Sequence, residues 1–91
     1  MITRYEVDGK PVTVTIANAG YPRFYAVRRG EDPVLGYLRR SALGHVIDAY
    51  LGSAHPDAMD AERLGSYETR QAAIERVVRE AMARDEAQEV L

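Results

Sequence analysis

Hydrophobic and polar residues alternate through the first part of the chain, the pattern of strands that bury one face. Two alternating runs flank Asp8 and Gly9, a pair favoured in two-residue turns, and they predict a β-hairpin over residues 3–16. Pro11 has no amide hydrogen to donate, so the second strand should not be central in a sheet at that point. The first structural unit is therefore predicted to be a hairpin with an edge-strand signal at Pro11.

A second hairpin is predicted over residues 24–40, because β-favouring runs flank a turn at 30–33 and place Arg29 opposite Val34. Side-chain alternation then separates two faces. One face is apolar, with a small residue where a helix would pack: Tyr25, Val27, Val34, Gly36 and Leu38. The other face is aromatic and basic: Phe24, Arg28, Leu35, Tyr37 and Arg39. A register slip of one residue would exchange the faces, so the sequence leaves open which of them is uncovered.

Residues 42–51 fit two patterns. Their apolar positions have the spacing of an amphipathic helix, but the centre is β-branched and Gly44 disfavours a helix. We favour a strand over 45–50 and keep the helix as the alternative. A polar loop and a short strand over 63–67 follow, which gives an antiparallel sheet of five to six strands.

The last element is predicted to be a helix over residues 69–84 that packs on one face of the sheet. Thr69 can cap its N-terminus, and an apolar stripe follows at helical spacing: Ile74, Val77, Val78, Ala81 and Met82. The acidic segment 85–91 does not continue the apolar stripe, so we expect this end of the chain to fray. The fold class is therefore α+β, with a single domain over 1–84.

The composition limits the possible functions. A chain of 91 residues, 46% hydrophobic and without cysteine, suits one small domain and leaves no room for a cofactor domain. No apolar run approaches the length of a membrane span. We therefore expect a cytoplasmic protein that needs no cofactor and does not bind a membrane.

The net charge of -2 is unevenly distributed along the chain. Residues 1–45 carry seven Lys and Arg against four Asp and Glu, whereas residues 46–91 carry five against ten. The acidic total argues against general nucleic-acid binding, which depends on neutralising phosphates. A local basic face is nevertheless expected on the predicted sheet.

Two sets of polar residues are candidates for chemistry. Ser41, His45 and Asp48 have the spacing of one helix face, but a strand would place His45 and Asp48 on opposite faces and separate a catalytic set. The second set consists of His55, Asp57, Asp60 and Glu62. Its spacing matches no zinc or calcium site, and its composition is typical of a solvent-exposed loop. We predict no catalytic residue, no metal site and no enzymatic activity.

The aromatic and basic sheet face is the predicted binding surface, because tyrosine and arginine are favoured at protein interfaces. The leading prediction is a protein-binding module that acts by self-association into a homo-oligomer or by capture of a host protein. DNA binding through the same face is the alternative, since arginine also contacts phosphate and guanine.

The segment RLGSY at 63–67 and the helix opening after it resemble two groups of proteins. One is the small accessory proteins of actinobacterial phages and mobile elements, which implies a binding module of a phage or mobile element in the cytoplasm of a bacterial host cell. The other is the arm-type DNA-binding domain of tyrosine recombinases, whose signature of aromatic-x-Thr-basic-x-x-Ala is similar to YETRQAA at 67–73. In that domain the sheet enters a DNA groove. The resemblance would give this role to Arg28 and Arg39, together with Arg23 and Arg40, although Glu68 stands where a basic residue is expected.

Overall fold

A computed structural model describes residues 2–17, 23–30, 32–40, 45–52 and 61–89. These residues form the predicted α+β fold, a six-stranded antiparallel sheet with one C-terminal helix packed on it. Neighbouring strands in the sheet follow the order of the chain. The elements are β1 (Ile2–Val7), β2 (Lys10–Ile16), β3 (Arg23–Arg28), β4 (Gly36–Arg40), β5 (Ile47–Leu51), β6 (Glu62–Tyr67) and α1 (Arg70–Glu89).

The first hairpin, β1–β2, is confirmed. Asp8 and Gly9 have φ angles of 52° and 79°, and two positive values in succession are required by a type I′ turn. Pro11 lies opposite Glu6, outside the part of β2 that pairs with β3, which begins at Thr13. The missing amide hydrogen therefore interrupts no pairing with β3, as expected for proline in a strand. As a whole, however, β2 is an inner strand, and the two sheet edges are β1 and β6.

The predicted register of the β3–β4 hairpin is also confirmed, with Phe24 opposite Arg39 and Ala26 opposite Tyr37. Leu35 was predicted on the aromatic and basic face, and this was wrong. Its amide donates to the carbonyl of Val27 at 2.8 Å, although the Cα partner of Val27 is Gly36. Leu35 and Gly36 thus both lie opposite Val27, which is the arrangement of a β-bulge. Leu35 is partly buried and packs against the core, so it does not lie on the aromatic and basic face. Val34, predicted beside the core in β4, precedes that strand.

In the described part of the ambiguous segment, residues 47–51 form a strand. β5 pairs with β4 on one side and β6 on the other, so the helix alternative for this region is wrong. The strand begins two residues later than predicted, because His45 and Val46 lie in a bend before Ile47. The pairing with β6 shifts between Ala49 and Tyr50, which marks a bulge in the edge strand.

The helix α1 begins after Thr69, whose Oγ1 accepts a hydrogen bond from the amide of Ala72 at 3.1 Å. The predicted N-cap is therefore confirmed, while the helix continues to Glu89 rather than ending at residue 84. Its buried stripe and one sheet face form the core: Val7, Val12, Val14, Tyr25, Val27, Leu38, Ala49, Ala73, Ile74, Val77 and Val78. Within the described segments, no helix is long and apolar enough to cross a membrane.

Candidate functional site

The sheet face opposite α1, here called the outer face, contains most of the predicted binding residues. It consists of the strand positions that alternate with the core residues, and these follow from the pairing register. They are Arg4, Glu6, Pro11, Thr13, Thr15, Phe24, Ala26, Arg28, Tyr37, Arg39, Asp48, Tyr50, Arg63 and Ser66. Arginine, tyrosine and hydroxyl side chains predominate on this face, so it differs in chemistry from the aliphatic face under α1.

Asp48 of β5 lies in a polar network that crosses three strands of the outer face. Arg63 donates from Nη2 to Asp48 Oδ1 at 3.1 Å, and Arg39 donates from Nη1 to Oδ2 at 3.5 Å. Ser66 Oγ also donates to Asp48 Oδ1 and accepts from Arg63. Because Arg39, Asp48 and Ser66 lie directly across from one another on β4, β5 and β6, the sheet register itself assembles the network.

The environment of Asp48 favours its charged form. Its side chain is 17% exposed, and burial alone would raise its pKa. Hydrogen bonds from Ser66 and Arg63, together with the charges of Arg63 and Arg39, outweigh burial and hold the pKa of Asp48 below its ordinary value. The carboxylate therefore stays ionised at neutral pH and orients the two guanidinium groups.

Two tyrosines lie next to this network. Tyr37 of β4 and Tyr50 of β5 are direct cross-strand partners, and both are half-buried. Tyr50 also lies opposite Arg63 on β6. Side chains at directly opposite positions are within contact range of each other, so the tyrosine pair and the Asp48 network form one continuous patch.

Phe24 lies on the outer face, as predicted, but it is only 4% exposed, and its neighbour Ala26 is 5% exposed. Neither residue belongs to the core under α1. The Phe24 ring is therefore not available for direct contact with a partner in this structure. Arg28 and Arg39, by contrast, are half-buried and accessible.

Arg23 and Arg40 do not lie with the other predicted binding residues. They are direct cross-strand partners at the ends of β3 and β4, and alternation places them on the same face as Tyr25 and Leu38. The structure therefore divides the six predicted residues between two faces. Alternation along each strand would have predicted this division from the sequence, because Arg23 and Phe24 are adjacent in the chain.

Sequence reasoning missed several polar residues of both faces. Asp48, Tyr50 and Arg63 belong to the outer-face patch, and only the strand assignment and the β5–β6 register bring them there. On the other face, Arg70 at the start of α1 lies 4.8 Å from the ring centroid of Tyr25, a cation–π distance. Its Nη1 is also 3.4 Å from Tyr5 Oη.

Of the two polar sets, the structure describes only His45, Asp48 and Glu62. Asp48 lies on the outer face, whereas His45 lines a cleft beside Arg70 on the other side, and Ser41 lies outside the described residues. Glu62 forms an ion pair with Arg84 at 2.7 Å. The other predicted loop residues also lie outside the described part of the chain: His55, Asp57 and Asp60. Among the residues that are described, no three His, Cys, Asp or Glu side chains are grouped to hold a metal ion.

Comparisons with protein-family models, with curated protein sequences and with solved structures give no match. The resemblance to phage accessory proteins and to the recombinase arm domain therefore stays a prediction. The fold and the two surfaces described above are the basis for the functional argument.

Proposed function

We propose that the chain is a non-enzymatic protein-binding module and that its contact surface is the outer-face patch. The observation that carries the proposal is the Tyr37–Tyr50 pair beside the ordered Asp48 network. Tyrosine and arginine contribute most of the binding energy in many protein interfaces, and ordered side chains lose less entropy on binding. The patch combines both properties.

The charge of the patch favours a protein partner over DNA, the alternative function. Two of its arginines, Arg39 and Arg63, already share the carboxylate of Asp48. Binding to nucleic acid depends on cations that neutralise phosphates. A carboxylate between two guanidinium groups offsets their positive charge and so opposes this neutralisation. Mixed charges beside tyrosines are instead typical of the polar rim and aromatic anchors of a protein interface.

The first experiment measures self-association by sedimentation equilibrium of the purified chain over a wide concentration range. The variant Tyr37→Ser/Tyr50→Ser removes the aromatic pair, and Thr13→Ala is the matched control on the same face. If the partner is a second copy, we expect a concentration-dependent dimer that the control retains and the double variant loses.

If the chain stays monomeric, affinity capture from cells of its source, with the same three proteins as bait, tests for a different partner. The proposal requires at least one protein that the wild type and Thr13→Ala retain and Tyr37→Ser/Tyr50→Ser loses. A monomer that captures no such protein would refute it. In a parallel fluorescence anisotropy titration, salt-sensitive DNA binding that Arg28→Ala and Arg39→Ala weaken would establish the alternative instead.

A further inference from the structure

Two clefts adjoin at the end of the sheet next to the first turn of α1, on the side opposite the outer face. The larger, about 440 Å³, is lined by Tyr5, Arg40, His45, Val46, Glu68 and Arg70, among other residues. The smaller, about 110 Å³, includes Ile16, Arg23, Tyr25 and again Arg70. Because Arg70 lines both clefts, we treat them as one feature and call it the end groove.

The end groove is strongly cationic. Arg23 and Arg40 are direct cross-strand partners on the same face, a like-charge arrangement that is unfavourable by itself. Arg40 is exposed and forms no ion pair with any described residue. Of the described residues that line the larger cleft, Glu68 alone is acidic, against the guanidinium groups of Arg40 and Arg70. An anion in the groove would offset this excess of positive charge.

The groove also exposes apolar surface. In the described part of the chain, the large hydrophobic side chains that are exposed are Ile16, at 40%, and Val46, at 44%. Val46 lines the larger cleft and Ile16 the smaller one. Exposed apolar residues next to cations indicate a ligand with an apolar body and an anionic group.

Arg70 has the most central position in the groove, and its side chain is held in place. The ring of Tyr25 lies 4.8 Å from its guanidinium carbon, and the hydroxyl of Tyr5 is 3.4 Å from Nη1. A positioned guanidinium loses less conformational freedom when it forms a bidentate contact with an oxyanion. Arg40 on β4 lines the same cleft and supplies a second charge.

We propose that the end groove binds a small organic oxyanion, and specifically a phosphate monoester carried on an apolar or aromatic body. Two arginines in one cleft suit a phosphate dianion, and the volume of the larger cleft lies within the usual range for small-molecule sites. A carboxylate shares the oxyanion chemistry with a single negative charge. This site is separate from the outer-face patch, so it does not depend on the proposed protein-binding function.

The test uses phenyl phosphate, benzoate and inorganic phosphate as probes, with binding measured by isothermal titration calorimetry. Arg40→Gln is the test variant because its side chain is exposed, and Arg28→Gln removes the same charge from the outer face as the matched control. We expect phenyl phosphate to bind most tightly and its Kd to rise roughly tenfold or more in Arg40→Gln, the effect of losing a charge-assisted hydrogen-bond pair. The Kd of Arg28→Gln should stay close to that of the wild type.

Chemical-shift perturbation by phenyl phosphate in the wild-type protein gives a second readout that needs no variant. We expect the shifted amides to cluster at Arg40, Val46 and Arg70. Binding of benzoate as tight as that of phenyl phosphate would overturn the assignment to a phosphate. Equal binding of inorganic phosphate would overturn the apolar part of the site. No binding of any probe, or an equal loss in Arg40→Gln and Arg28→Gln, would overturn the proposal as a whole.

Discussion

Gly36 of β4 lies directly beneath Val77 of α1, at a separation that leaves no room for a side chain. A Cβ atom on Gly36 would lie 2.7 Å from Cγ1 of Val77, and it would meet the carbonyl oxygen of Tyr50 on β5 more closely still. Both Gly36 and Val77 are buried. The absence of a side chain at Gly36 therefore allows α1 to approach the centre of the sheet, as the sequence predicted.

Gly36→Ala is expected to destabilise the fold. The added methyl group meets a backbone oxygen on an inner strand, which cannot rotate away, so β4 or α1 has to shift. Overpacking of this kind costs about 1–3 kcal/mol. For a chain of this size, each kcal/mol lowers the Tm by roughly 4–8 °C, which differential scanning calorimetry resolves.

A double-mutant cycle with Val77→Ala separates the two contacts of the added methyl group. Val77→Ala removes the contact with Cγ1 but leaves the one with the Tyr50 carbonyl. We therefore expect Val77→Ala to cost less free energy of unfolding in the Gly36→Ala background than in the wild type, without restoring full stability. Additive effects would contradict the close approach of Gly36 and Val77.

Asp48 makes the stability of the protein depend on pH. Its folded-state pKa is lowered, so ionised Asp48 contributes stability above its unfolded pKa, about 3.9 for aspartate, and this contribution is lost as the pH falls through the folded pKa. Asp48→Asn removes this titration while keeping the shape of the side chain. We expect the wild type to lose more free energy of unfolding than Asp48→Asn between pH 6 and pH 3, measured by urea denaturation.

At pH 7, Asp48→Asn should cost about 1 kcal/mol, because its arginine partners are 40% and 56% exposed and solvent screens their charges. Glu62→Gln provides the control, since it also loses an ion pair but with a side chain that is 48% exposed. The variant Glu62→Gln should retain the acid-induced loss of the wild type. An equal pH dependence in the wild type and Asp48→Asn would show that another group is responsible.

The sequence predicted the strands, the register of the first two hairpins and the buried stripe of α1 because each of these has a local signal. Alternation and the Asp8-Gly9 turn define the first hairpin, and the residues 30–33 define the register of the second. The choice of strand for β5 depended on β-branched residues against an equally good helical spacing. The pairing of β5 with β4 and β6 selects the strand over the helix. Such pairing between segments cannot be predicted from the sequence of one segment alone.

The parts that the sequence did not predict depend on contacts between distant segments. The bulge that lets Leu35 pack against the core lies where β3 meets β4, and the carbonyl of Leu35 also accepts from the amide of Gly52, just after β5, at 2.9 Å. The Asp48 network needs the β5–β6 register, which shifts at a bulge. The separation of Arg23 and Arg40 from Arg28 and Arg39 is different, because alternation alone implies it.

The turn between β1 and β2 provides a test of local backbone conformation. Gly9 has a φ angle of 79°, where a side chain is strained, and nothing lies within 4 Å of a Cβ atom placed there. Gly9→Ala should therefore destabilise the fold through backbone strain alone, by about 1–2 kcal/mol. Asp8→Asn keeps a residue that tolerates positive φ and loses only the exposed ion pair with Arg79. We expect it to change the urea midpoint less than Gly9→Ala, and the reverse order would show that the ion pair maintains the turn.

Substitution of Phe24 tests whether part of the outer face stabilises the fold. Its ring is 4% exposed, so Phe24→Ala should behave as a core truncation and lower the free energy of unfolding by about 3–5 kcal/mol. Thr13→Ala, a half-buried position on the neighbouring strand, is the control and should change it by less than about 1 kcal/mol. The measurement is urea denaturation followed by far-UV circular dichroism. A loss below about 1 kcal/mol for Phe24→Ala would show that its ring is accessible in solution, and Phe24 would then be a contact residue beside Tyr37.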